Sequence, residues 1–278
     1  MKESHVLPAG LLFFLLLVPV APVFAQARTK SKIGATLFVA NSGAWKSVQR
    51  GLDYRKITLE RSEPSYTLEL KLLRFDNRTV ASRVIYAGNL SLKGATAKAF
   101  AEKTGAMAAI NANYFDTQGR PLAFLKTASK EINLNVSKHA LYTGVFGVRD
   151  GAPFIVHRDE FQPAQASEAL QSGPLLLNRG AAVEAMPGLG RYARRAVIGI
   201  DKESRVIIAV TEAVIGGLSF TELQELFGDP KWQIQTIDLL NLDGGGSAQL
   251  YVKAGKFEEW LPGTTEVPVA IGFFPKAN

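Results

Sequence analysis

Apolar and polar side chains alternate along two segments of "ITLERSEPSYTLELKLLRFD", Ile57 to Asp76, which are split at Ser62-Glu63-Pro64. Period-two patterning buries one face of a strand, so this stretch predicts a hairpin. The same logic predicts a second hairpin in "VFGVRDGAPFIV", with Asp150-Gly151 as its turn, and a third in "AVIGIDKESRVIIAV", turning at Asp201–Ser204. Helical signals are fewer. "ATAKAFAEKTG" reads as a short helix closed by Gly105, and Ser219 with Glu222 in "SFTELQELF" form a capping box that starts another. The first helix feeds "AMAAINANYFD", an apolar strand ending in polar residues, and "VPVAIGFF" supplies a last strand. Many strands, several hairpins and few helices predict an α+β fold, a largely antiparallel mixed sheet with a few short helices in a single domain.

The amino terminus breaks this pattern. "LLFFLLLVPV", Leu11 to Val20, is too short for a membrane span, and "APVFAQA" follows with small residues at signal-peptidase spacing. Residues 1–27 therefore read as a signal peptide, with the mature chain starting at Gln26 or Arg28 and located in the periplasm or secreted, without an integral membrane span. Residues 28–90 read as a strand-rich amino-terminal part of the domain, and residues 91–278 as the part carrying the chemistry. The chain has 278 residues, 47% of them apolar, enough for a core that needs no disulfides. It has no cysteine, which excludes a lipoprotein anchor, a thiolate nucleophile and cysteine-ligated zinc. A net charge of +7 is spread along the chain rather than interleaved with aromatics, so nucleic acid is not an expected partner and an anionic ligand is.

Familiar catalysts are missing. His5 lies in the leader, and His139 and His157 stand alone, so no Ser-His-Asp set can be assembled, nor is there a G-x-S-x-G elbow. "GGGS" lacks the lysine of a phosphate-binding P-loop and precedes a strand rather than a helix. What stands out is a series of polar residues at strand ends. Asn111 and Asn113 close "AAINANYFD", Ser172-Gly173-Pro174 opens "LLL", Arg195 precedes "AVIGI", and Asp243 ends a buried run ahead of Gly244, Gly245, Gly246 and Ser247. Glycines let a ligand approach the backbone, so N–H groups can cradle an anion beside a carboxylate held at the mouth of the sheet. Taken singly, each stretch also reads as a turn, a cap or a solvated basic face.

In order, "AAINANYFD", "SGPLLL", "RRAVIGID" and "NLDGGGSAQLYV" resemble the successive motifs of the phosphodiester glycosidase family. The resemblance implies a hydrolase that cuts a sugar's anomeric bond to a phosphodiester oxygen, its partner being a sugar phosphodiester or envelope glycan. It places Asn111, Ser172, Gly173, Arg195, Asp243, the three glycines and Ser247 around one pocket. Asp243, Arg195 and Asn111 are the expected catalytic set, with Asn113, Ser172, Gly173, Gly244, Gly245, Gly246 and Ser247 binding substrate. Ala112, Ala196 and Val267 depart from the pattern, standing where members often carry glycine, threonine and arginine. No cofactor is called for; Asp116, Asp238 and Asp243 are the oxygens a cation such as Ca²⁺ would use, without the spacing of a calcium loop. The alternative is a non-catalytic periplasmic protein binding phosphorylated or glycosylated polymer in the same pocket.

Overall fold

The computed structural model describes Met1 and residues 31–33 and 35–276. The leader and its cleavage site fall outside the described residues. Among the described residues all pairings between strands are antiparallel, and the strands form three sheets. The first is centred on Ser65–Phe75, Val206–Glu212, Ala196–Asp201 and Thr236–Asn241, in that spatial order. The second holds Glu168–Ser172 beside Gly144–Arg149. The third runs Leu250–Ala254, Ala108–Asn111, Val269–Pro275 and Val80–Tyr86.

The hairpins form where the alternation predicts. Leu52–Ser62 and Ser65–Phe75 pair in register from Leu52 with Phe75 to Ser62 with Ser65. Asp150 and Gly151 both take the left-handed conformation that a two-residue turn needs to follow strand twist. The helix Ala97–Thr104 is capped by the Thr96 hydroxyl and closed by left-handed Gly105. Phe220–Gly228 carries the reciprocal Ser219–Glu222 box. Described residues before position 90 are woven into the same sheets: Ser65–Phe75 pairs along Val206–Glu212, and Val80–Tyr86 along Val269–Pro275.

A core of side chains from all three sheets, among them Leu73, Ile110, Phe146, Ile198, Leu240, Leu250 and Ile271, lies where the sheets meet. The ends of Ala108–Asn111, Glu168–Ser172 and Thr236–Asn241 therefore come out close together. That convergence, which no local pattern encodes, creates the site.

Candidate active site

Asp243 stands two residues beyond Thr236–Asn241, gripped from both sides. Its N–H donates to the Ala112 carbonyl at 2.8 Å, while the preceding Leu242 N–H donates to Ala196 at 2.8 Å and Gly245 N–H to Arg194 at 2.9 Å. The turn thus bridges the first and third sheets, and Ala112 and Ala196 serve it through main-chain carbonyls. Each glycine has a separate reason. A Cβ on Gly244 would sit 2.7 Å from the Arg194 carbonyl, Gly245 has φ +57°, and a Cβ on Gly246 would meet the Thr264 hydroxyl at 2.5 Å. The short turn Gly245–Ser247 then delivers the chain into Leu250–Ala254.

Asn111 is fully buried, and its amide spans this turn. Nδ2 donates to the Asp243 carbonyl at 2.6 Å and Oδ1 accepts from Gln249 N–H at 3.0 Å. Asn111 thereby joins the two ends of the glycine loop. Gln249 extends the frame, accepting from the Ala97 N–H at the start of the first helix and donating to Thr265.

The half-buried Asp243 carboxyl has its pKa raised by burial, opposed by hydrogen bonds from the Ser247 hydroxyl and Gly244 N–H. Arg195 is buried, its Nε donating to Leu218 and its guanidinium lying 4.0 Å from the Phe220 ring centroid. Burial pulls its pKa down to about 10. Neither Asp243 nor Arg195 has an ion-pair partner among the described residues. Tyr114 lies within the field of both: burial raises its pKa first, Asp243 raises it further and Arg195 lowers it.

Tyr114 is a site residue that the sequence reading passed over. Its hydroxyl donates to the Gly173 carbonyl at 2.8 Å and accepts from Asn241 Nδ2 at 3.1 Å, and that Nδ2 also donates to Gly173 at 2.9 Å. Gly173 is needed here because a Cβ would come within 2.1 Å of the Leu141 carbonyl. Tyr114 stacks on Tyr142 with ring centroids 5.0 Å apart, and Tyr142 meets the exposed His139 in a tilted contact at 4.8 Å. His139, read as solitary in the sequence, ends an aromatic chain leading to the site. Tyr142 is only three residues beyond His139, but Tyr114 lies 25 residues before it, and no spacing rule links that pair. Asn113 and Ser172, 2% and 0% exposed, keep both amide atoms and the hydroxyl without partners, as does Asn241 Oδ1. Buried polar atoms are normally paired, so these three side chains have hydrogen-bonding capacity that no protein group takes up.

Arg194, another residue missed beforehand, clamps the opposite wall, Nη2 donating to the Ala248 and Pro262 carbonyls at 3.0 Å each. Val267 is 2% exposed and pairs with Ala95 beneath the first helix, so this departure is a core residue. The three aspartates do not assemble: Asp116 binds Arg120, Asp238 accepts from the Arg179 N–H, and no cluster of three metal-ligating side chains occurs among the described residues. A groove lined by Phe38, Arg61 and Tyr66 lies apart from Asp243, and Arg61 there is neutralised by Glu222 at 2.8 Å.

A family model described as phosphodiester glycosidase matches residues 104–274. The fold is similar to the zebrafish N-acetylglucosamine-1-phosphodiester alpha-N-acetylglucosaminidase catalytic domain, a structure auto-inhibited by its pro-peptide. That likeness has a TM-score of 0.63 at 15% identity, over 86% of this chain and 88% of that one. A hypothetical protein from Synechocystis gives 0.58 at 15% identity, over 85% of this chain and 64% of that one. A putative exported protein from Burkholderia pseudomallei gives 0.51 at 12% identity, over 75% and 74%. No curated protein matches the chain.

Proposed function

Because the chain belongs to the phosphodiester glycosidase family, we propose that it is an exported hydrolase that cleaves the glycosidic bond of a sugar-1-phosphodiester or related envelope glycan. The observation that carries this reading is the pair of unneutralised opposite charges, Asp243 and Arg195, whose fields both reach Tyr114. Left alone they would be a costly way to build a fold. A substrate with a phosphate and a carbon that becomes cationic in the transition state satisfies both.

Water adds to the anomeric carbon, the bond from that carbon to the phosphodiester oxygen breaks, and its electron pair leaves on a phosphate monoester. Asp243 accepts the proton of the attacking water or faces the oxocarbenium charge, and burial in a site of low polarity strengthens either interaction. Its raised pKa brings it closer to the range where a carboxylate works as a base near neutral pH. Arg195 holds the phosphate and stabilises the charge that accumulates on it as it leaves. A phosphate monoester has a second pKa near ~6, so this leaving group needs less protonation than the alkoxide for which ordinary glycosidases keep a second carboxyl. One carboxyl and one guanidinium suffice. Asn113, Ser172 and Asn241 offer a donor and acceptors to sugar hydroxyls, while Asn111 and Gln249 hold the loop.

The test is hydrolysis of a panel of sugar-1-phosphodiesters in oxygen-labelled water, with Asp243→Ala alongside. Label in the sugar and loss of turnover in the variant are expected. Label in the phosphate would refute cleavage at carbon, and binding without turnover would give the site to the non-catalytic reading.

A further inference from the structure

Building on the hydrolase reading, the geometry points to a lipid-borne substrate: the loop beside Arg195 engages an anionic lipid surface and presents a membrane phosphodiester to the site. The order of groups in the substrate fixes where its aglycone must lie. Asp243 acts at the anomeric carbon and Arg195 at the phosphate, so whatever is esterified to the far side of the phosphate extends past Arg195. There the protein offers Leu218, whose carbonyl holds Arg195 Nε at 2.9 Å. Leu218 is also zipped to Ala193 by main-chain bonds, the Leu218 N–H donating at 2.9 Å.

The loop between Val206–Glu212 and this anchor carries Val214, fully exposed, and Ile215, 69% exposed. Tyr192, next to Ala193, is 45% exposed. Two adjacent branched aliphatic side chains at the tip of a loop contribute nothing to the core, yet the base of that loop is tied to the phosphate-binding arginine. Water is a poor environment for them, and a hydrocarbon one recovers the free energy of their burial. The charge nearby matches a phospholipid surface. Exposed Arg191, next to Tyr192 in the chain, lends its carbonyl to Arg195 Nη2, and the whole chain is at +7. A cation beside an apolar tip is an arrangement by which a protein lies on an anionic bilayer without crossing it; among the described residues no helix is long and apolar enough to span one.

Co-sedimentation of the full chain with phosphatidylglycerol vesicles and with phosphatidylcholine vesicles tests this, alongside Val214→Ser/Ile215→Ser. We expect the wild type to bind phosphatidylglycerol vesicles and the double variant to bind at least ~10-fold more weakly. Turnover of a soluble sugar-1-phosphodiester and the melting temperature should be unchanged in the variant, since neither side chain touches the catalytic groups. Absence of wild-type binding, or equal binding by the variant, overturns the inference. So does a dimer, seen by light scattering, that the variant abolishes, because the tip would then belong to a second copy. Vesicle binding by a wild type that turns over no sugar-1-phosphodiester, soluble or lipid-borne, would instead bring down the hydrolase reading and the substrate assignment with it.

Discussion

Asn111→Ala separates a residue that holds the loop from one that touches substrate. The substitution removes the donor to the Asp243 carbonyl at 2.6 Å and the acceptor of the Gln249 N–H at 3.0 Å. The Gln249 N–H is buried, and left unpaired it costs about 1–3 kcal/mol. The Asp243 carbonyl is partly accessible and can recruit water, so its loss is nearer the ordinary net value of about 0.5–1.5 kcal/mol. Together they amount to roughly 1.5–4.5 kcal/mol, a large share of the ~5–15 kcal/mol by which a domain is stable. At about 2–4 °C per kcal/mol for a chain of this size, the melting temperature should fall by roughly 3–18 °C. Turnover should drop by ~100-fold or more even where the protein is fully folded, because the loop carrying Asp243 is no longer pinned at both ends. Asn111→Asp refines the test. It keeps an acceptor for Gln249 but puts a carboxylate oxygen against the Asp243 carbonyl, so the protonated form of the introduced carboxyl is the one the fold accepts. Its folded pKa is then raised above the unfolded value of ~3.9, and the stability of this variant should fall as pH rises through the folded pKa. Calorimetric melts and turnover measured side by side decide the matter. An unchanged melting temperature with turnover abolished would refute the loop-pinning account and make Asn111 a substrate contact.

Four further outcomes follow from the same geometry. Asp243→Asn should lose at least ~100-fold in turnover; because burial raises the carboxyl pKa, the wild type bears a penalty above that pKa, so the variant should melt no lower at neutral pH, and its advantage should vanish as pH falls to the unfolded value of ~3.9. Arg195→Lys keeps the charge but loses the planar fork that now bonds the Leu218 and Arg191 carbonyls, so KM for the phosphodiester should rise several-fold with only a small change in melting. Gly244→Ala should destabilise more than Gly245→Ala, because the first drives a Cβ to 2.7 Å from the Arg194 carbonyl while the second meets open space and costs only ~1–2 kcal/mol for its φ of +57°; the reverse order in urea titrations would contradict the close-approach argument. Tyr114→Phe frees the Gly173 carbonyl and Asn241 Nδ2 of a shared partner, and should lower both stability and turnover, read in melts and in the sugar-phosphate assay.

By itself the sequence determined what is local. Alternation marked the hairpins at Ser62–Ser65, Asp150–Gly151 and Asp201–Ser204, and capping chemistry marked both helices, because these depend on residues a few positions apart. Its glycine triplet and the polar residues at strand ends also announced where the backbone had to leave room. Asn111 and Asp243 are 132 positions apart and share a 2.6 Å hydrogen bond; their motifs could be quoted in order, but not their contact. Tertiary structure alone decided who does what in the cluster. It turned Asn111 inward to tie the glycine loop, left Asn113 and Ser172 unpartnered, brought Tyr114 within the field of Asp243 and Arg195, and placed Val267 in the core beneath the first helix. The physical reason is that a side chain's role depends on which hydrogen-bonding groups and charges reach it, and those come from three sheets whose packing no stretch of sequence specifies alone.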